Sequence, residues 1–109
     1  MAYADVLTAL ADPTRRHIFE ALRDAPQTVG QLAATQPVSR PAVSQHLRVL
    51  AEASLVTVEP RGTRRVYTLR RDGLLELRDY LQGFWDDALS AYAAEIERRA
   101  AQPPSPPED

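Results

Sequence analysis

The sequence predicts a mainly α fold with one small β-hairpin, in the order α-α-α-α-β-β-α. Three observations predict it. Helix-start signals stand at Asp12-Pro13, Thr28 and Ser39. Two short runs rich in Val, Thr and Tyr flank Gly62, and an apolar series keeps helical spacing from Leu74 to Ile96. The chain has 109 residues, which suits one domain whose core needs no staples.

Residues 5–11 are expected to form a short first helix, with Val6, Leu7 and Leu10 on one side. Asp12 can accept from free backbone N–H groups at the next helix start, and Pro13 stands where a missing N–H costs nothing. That second helix runs from Pro13 to about Arg23 and buries Ile18, Phe19 and Leu22; Pro26 ends the connection after it. Thr28-Val-Gly-Gln31 has the capping-box pattern and opens a third helix to about Thr35, with Val29, Leu32 and Ala33 inward. Gln36-Pro37-Val38 is a tight break. Ser39 then caps a fourth helix, with Pro41 in its first turn and Val38 placed to staple against Val43. This helix runs to about Ala53.

The strand-like runs are Leu55–Glu59 and Arg65–Leu69. Pro60-Arg61-Gly62-Thr63-Arg64 joins them, so the hairpin has an arginine-bearing tip. Tyr67 and Leu69 alternate with Val66 and Thr68, as sheet packing requires. Asp72 caps a last helix that ends near Arg99. Residues 1–100 thus form one domain, and the polar, proline-rich stretch 101–109 a disordered tail. Helices three and four stand as a helix-turn-helix with the hairpin as a wing, so the architecture is a winged helix-turn-helix.

A formal net charge of −2 argues against a nucleic-acid partner, but its distribution argues for one. From Ser39 to Arg71, seven arginines (Arg40, Arg48, Arg61, Arg64, Arg65, Arg70, Arg71) meet two acids, Glu52 and Glu59, for a local +5. The remaining six arginines and 13 acids leave −7 elsewhere. There is no cysteine, which excludes disulfides, thiolate metal sites and a cysteine nucleophile. The first residues lack the basic and apolar regions of a signal peptide, and no stretch approaches the roughly 18 apolar residues of a membrane span. The expected address is the cytoplasm.

On a helical wheel of the fourth helix, Val43, Leu47 and Leu50 form the core stripe, within about 60° of each other. Pro41, Gln45 and Glu52 lie opposite, Ser44 and Arg48 flank them, and Arg40 lies nearer the core edge. Gln can pair with adenine, Arg with guanine, and Ser with a base edge or a phosphate, so this face suits a major groove. The helix start near Ser39 and Arg40 adds attraction for a backbone phosphate. On the wing, Arg61, Arg64 and Arg65 would track phosphates or enter the minor groove. A plain solvated helix face and a plain soluble turn are the alternatives.

Three blocks resemble the ArsR family of bacterial regulators. Leu10-Ala-Asp-Pro-Thr-Arg-Arg-His-Ile-Phe-Glu-Ala-Leu22 resembles that family's opening motif. Ser39-Arg-Pro-Ala-Val-Ser-Gln-His-Leu-Arg-Val-Leu50 with Ala53-Ser-Leu-Val56 resembles its recognition helix, and Arg61-Gly-Thr-Arg-Arg-Val-Tyr-Thr-Leu69 its wing. The match covers roughly residues 5–99. It implies a homodimeric repressor of its own or a neighbouring promoter, bound to double-stranded DNA at a palindromic operator. It also implies that Pro41, Ser44, Gln45 and Arg48 sit in the groove. Many members sense metal through cysteines on the third helix or Asp and His on the last. Here the third helix has no thiolate and the last no histidine. His17 and His46 read as structural or plain hydrogen-bonding groups. Neither a cofactor nor a metal is expected, which places the chain in the branch without the cysteine motif. A small organic effector between subunits and no effector at all both fit the residues.

The last helix would hold about 27 residues and span about 40 Å, against a radius of gyration of about 13 Å for a domain of this size. Leu74, Leu77, Leu81, Trp85, Ala88, Leu89, Tyr92 and Ile96 keep helical spacing over nearly all of it. One small domain cannot cover that series. The expected dimer interface is therefore Leu81, Trp85, Leu89, Tyr92 and Ile96, with Val6 from the first helix. The competing expectation is a bend or fraying near Gly83. Two rival functions compete with this reading. A winged-helix protein–protein interaction module would keep the fold without the basic face. An enzyme would need a constellation that Ser44 and His46, two residues apart on a helix, do not form.

Overall fold

A computed structural model of the chain describes residues 3–102. The elements are α1 (Tyr3–Ala11), α2 (Pro13–Ala21), α3 (Val29–Thr35), α4 (Arg40–Glu52), β1 (Val56–Arg61), β2 (Arg64–Leu69) and α5 (Arg71–Ala101). The order matches the sequence expectation. Two compact units divide the chain, residues 1–78 and 79–109. The expected tail lies outside the described residues from position 103 onward, and its first residue, Ala101, is the last of α5.

Local chemistry sets most helix boundaries. Asp12 accepts from the Arg15 backbone N–H at 2.9 Å. That hydrogen bond is the main reason its carboxyl sits below the usual carboxylate range; burial opposes the shift, and the charges of His46 and Arg15 support it. The Arg15 and Arg16 guanidinium groups turn back to the Ala9 and Leu10 carbonyls, 3.2 and 3.0 Å away, and so close the end of α1. Thr28 and Gln31 form the expected reciprocal capping box, and Ser39 Oγ accepts from the Ala42 N–H at 3.3 Å.

The core of the first unit gathers Ile18 from α2 and Leu22 at its C-cap, Leu32 from α3, and Val43, Leu47 and Leu50 from α4, with Leu55 and Val56 beyond. On α1 the expectation needs correcting. Val6 is fully covered by its own chain and Ala9 almost so, whereas Leu7 is 47% exposed. Packing two helices around the Asp12 corner lets α1 bury only the line through Val6 and Ala9. Val6 therefore belongs to the core and cannot serve as a subunit-contact residue.

The end of α4 is a Schellman turn. Leu55 N–H reaches Leu50 O at 2.9 Å and Ser54 N–H reaches Ala51 O at 3.0 Å, with Ser54 at φ +59°. Leu55, expected at the head of the first strand, is instead the buried residue that locks this turn. The hairpin is also longer at its tip than the sequence indicates. Pairing continues through Pro60↔Arg65 to Arg61↔Arg64, leaving Gly62-Thr63 as the turn, with Gly62 at φ +63°. Pro60 is tolerated because a two-stranded ribbon consists of edge strands. The wing is tied down at Tyr67, which exchanges both backbone hydrogen bonds with Gln27, at 2.8 and 3.0 Å.

Asp72 does not cap the last helix but lies inside its first turn, accepting from the Arg70 guanidinium at 2.7 Å. Packing makes Gly73 special: its N–H donates to Ser54 O, and a Cβ there would come within 2.5 Å of Ala53 O. Leu74 and Leu77 pack against the core. In the second unit α5 continues without a break through Gly83.

Candidate nucleic-acid interface

The capped start of α4 and its buried stripe determine what the helix shows to solvent. Val43, Leu47 and Leu50 are fully covered, which leaves Pro41, Ser44, Gln45 and Arg48 exposed on the other side, as the wheel predicts. Ser39 is exposed, but its hydroxyl is engaged by the Ala42 N–H, so its first role is to end the helix. His46 is half-buried and His17 exposed.

Arg40 departs from this face. Its guanidinium lies over Gly30 of α3, where a Cβ would sit 3.2 Å from Nη2 and 3.4 Å from Cζ. Together with Arg64 and Arg65 of the wing it lines a cleft of ≈ 660 Å³ whose other walls include Thr28, Gly30 and Gln31. The structure thus brings Arg40, Arg64 and Arg65 to one place, while Arg48 stands apart on the open face of α4. Arg61 faces Arg64 directly across the hairpin.

Ion pairing separates the arginines into two groups. Arg61 lies 3.7 Å from Glu59, Arg70 pairs with Asp72, and outside the basic segment Arg16, Arg98 and Arg99 pair with glutamates. Among the described residues of the basic segment Arg40, Arg48, Arg64, Arg65 and, at the start of α5, Arg71 pair with no carboxylate. Four exposed cations without a counter-charge, on one helix and the adjoining hairpin, make an anionic polymer the natural partner. The sequence reading included these arginines but missed Gly30. The signal was available: a glycine inside a seven-residue helix costs about 0.5–1 kcal/mol relative to alanine, which points to a close approach by another group.

The donors for a thiolate metal site do not fit. The chain has no cysteine, and among the described residues no three His, Cys, Asp or Glu side chains gather. No helix of the described residues is long and apolar enough to cross a membrane.

In the second unit, Leu81, Trp85, Leu89, Tyr92 and Ile96 are exposed by 44% to 66%. They fall with Ala88 within about 100° of the helix circumference. Phe84, 58% exposed, stands edge-on to Trp85 beside this stripe.

Comparison with known proteins supports the helix-turn-helix architecture. Residues 10–59 match the family described as Helix-turn-helix domain. The chain is 57% identical over 89 residues to the HTH-type transcriptional regulator Rv2034 of Mycobacterium tuberculosis, covering 82% of this chain and 83% of that protein. It is 30% identical to the transcriptional repressor SdpR of Bacillus subtilis, covering 73% of this chain and 89% of the relative. The solved ArsR-like transcriptional regulator from Rhodococcus sp. RHA1 superposes with a TM-score of 0.70 at 32% identity, over 83% of this chain and 88% of that one.

Proposed function

The chain belongs to the ArsR family of winged helix-turn-helix, DNA-binding transcriptional regulators, and from that premise we propose that it acts as a homodimeric repressor. The observation that carries the reading is the set of unpaired arginines on the exposed face of α4 and the wing. In this proposal Ser44, Gln45 and Arg48 read base edges in the major groove, beside Pro41. Ser39, Arg40, Arg61, Arg64 and Arg65 engage the sugar-phosphate backbone. The named repressor among the relatives supports the sign of regulation. The protein would work in the cytoplasm by occluding a promoter, its own or a neighbour's, and no catalytic step is assigned to it.

The exposed stripe on α5 supports the dimer. Contiguous apolar surface of this kind marks an interaction site, and a two-fold pair would place its two reading heads about one DNA turn, roughly 34 Å, apart. The operator would then be palindromic. The test is a gel shift and footprint on the DNA upstream of the gene. A shift at low salt with a symmetric protected stretch is expected. No shift at low salt would overturn the assignment.

A further inference from the structure

The cleft between the wing and the start of α4 has a specific use. We propose that Arg40, Arg64 and Arg65 together hold a single DNA backbone phosphate, and that Gly30 is the positioning residue that lets Arg40 reach it. The inference rests on the reading above that the chain binds duplex DNA, and it reassigns Arg40 from an independent contact to one arm of a clamp.

Four observations carry it. First, the three arginines come from two elements far apart in sequence yet line the same ≈ 660 Å³ cleft. Second, no carboxylate lines that cleft, and among the described residues none of the three has an acidic partner. The neighbouring Arg61, by contrast, is compensated by Glu59. Third, the register sets Arg64 in the last pair of the hairpin, opposite Arg61 whose charge Glu59 already balances, so Arg64 and Arg65 are the wing cations left without a counter-charge. Fourth, the Arg40 guanidinium rests over Gly30 of α3, where a Cβ would stand 3.2 Å from Nη2, so the glycine lets it lie in the cleft without being displaced by a few tenths of an ångström.

The chemistry selects the ligand. Guanidinium groups present planar N–H forks that match phosphate oxygens, and one phosphodiester can take charge-assisted hydrogen bonds from three of them, whereas a guanine edge takes a bidentate fork from one. The clamp would bind wing and reading helix to the same point of the backbone and so set the register at which Gln45 and Arg48 meet the bases.

The full-length protein and a short duplex of arbitrary sequence provide the test, with affinity measured from about 50 to 200 mM salt. Arg40→Ala and Arg64→Ala are each expected to weaken binding about tenfold. The double variant should lose little more than either single one, and its slope of log K against log[salt] should fall by about 1.8, one phosphate for each of the two protomers. Arg40→Gln, which retains a side chain over Gly30 without charge, should match Arg40→Ala. Additive losses near a hundredfold with a slope change of about 3.6 would mean two separate phosphates per protomer and overturn the clamp. So would an Arg40→Ala protein that binds like the parent. Failure of the unmodified protein to bind the duplex at low salt is a different result, and it would remove the DNA-binding reading itself.

Discussion

Arg48 stands on the open side of α4 with no carboxylate to neutralise it, so its fork is available to a guanine edge. Arg48→Ala should cost about 1–3 kcal/mol at one base pair and little elsewhere in the site. Affinities for a bound site and its single-base variants check this; a uniform loss across all variants would make Arg48 a backbone contact. Asp12 gives a prediction about pH. Its folded-state pKa lies below the ordinary 3.8, so the ionised carboxylate stabilises the start of α2 fully above about pH 3.8. That contribution fades as pH falls through the lower, folded value. Asp12→Asn keeps an accepting oxygen that does not titrate. The Tm difference between parent and variant should be constant near neutrality and change only below about pH 3.8.

At the scale of elements, two glycines inside helices have opposite consequences. Gly73 abuts the Schellman turn that ends α4, and a methyl group there would meet the immobile Ala53 carbonyl at 2.5 Å. Gly73→Ala should therefore destabilise the fold by about 1–3 kcal/mol through overpacking. Gly30 meets only the far end of a flexible arginine. Gly30→Ala should leave stability unchanged or raise it by up to about 1 kcal/mol, since alanine is the better helix former. Urea midpoints of the two variants decide both cases. If they move in the same direction by similar amounts, backbone propensity rather than packing governs both sites. The contact at Gly73 also joins the start of α5 to the end of the reading helix, because Gly73 N–H donates to Ser54 O and Arg70 N–H to Leu55 O.

At the scale of the whole molecule, α5 is 31 residues long, about 46 Å, and carries apolar residues far beyond those that pack on the core. Trp85→Glu combined with Leu89→Glu would place two charges in the stripe, and a paired helix could not bury them without neutralising partners. The expected outcome is a monomer by light scattering, with the far-ultraviolet circular dichroism of a folded helical chain. Its salt slope on DNA should fall to about half, because only one head would engage phosphates. An unchanged dimer mass would exclude this face as the interface.

The sequence by itself determined the starts of α2, α3 and α4, the order of elements, the inward stripe of α4 and the basic segment, but not the start of α5, where Asp72 lies inside the first turn. Each depends on residues three or four apart, or on charge counted along the chain. Asp12, Thr28 and Ser39 cap by bonding N–H groups within their own first turn, which needs no distant partner. The same reasoning misplaced Val6, because which line of α1 is covered depends on how α2 and α4 pack beside it. It also shortened the hairpin, whose last pairs depend on Gly62 adopting a positive φ. Ser54 in a left-handed conformation, the close approach at Gly73, the Gln27–Tyr67 tie and the convergence of Arg40 with Arg64 and Arg65 were decided only by tertiary structure. All but Ser54 join segments distant along the chain, and Ser54 is held by a turn that the buried Leu55 locks. The identity of such residues is compatible with many surroundings until the core brings one of them into place.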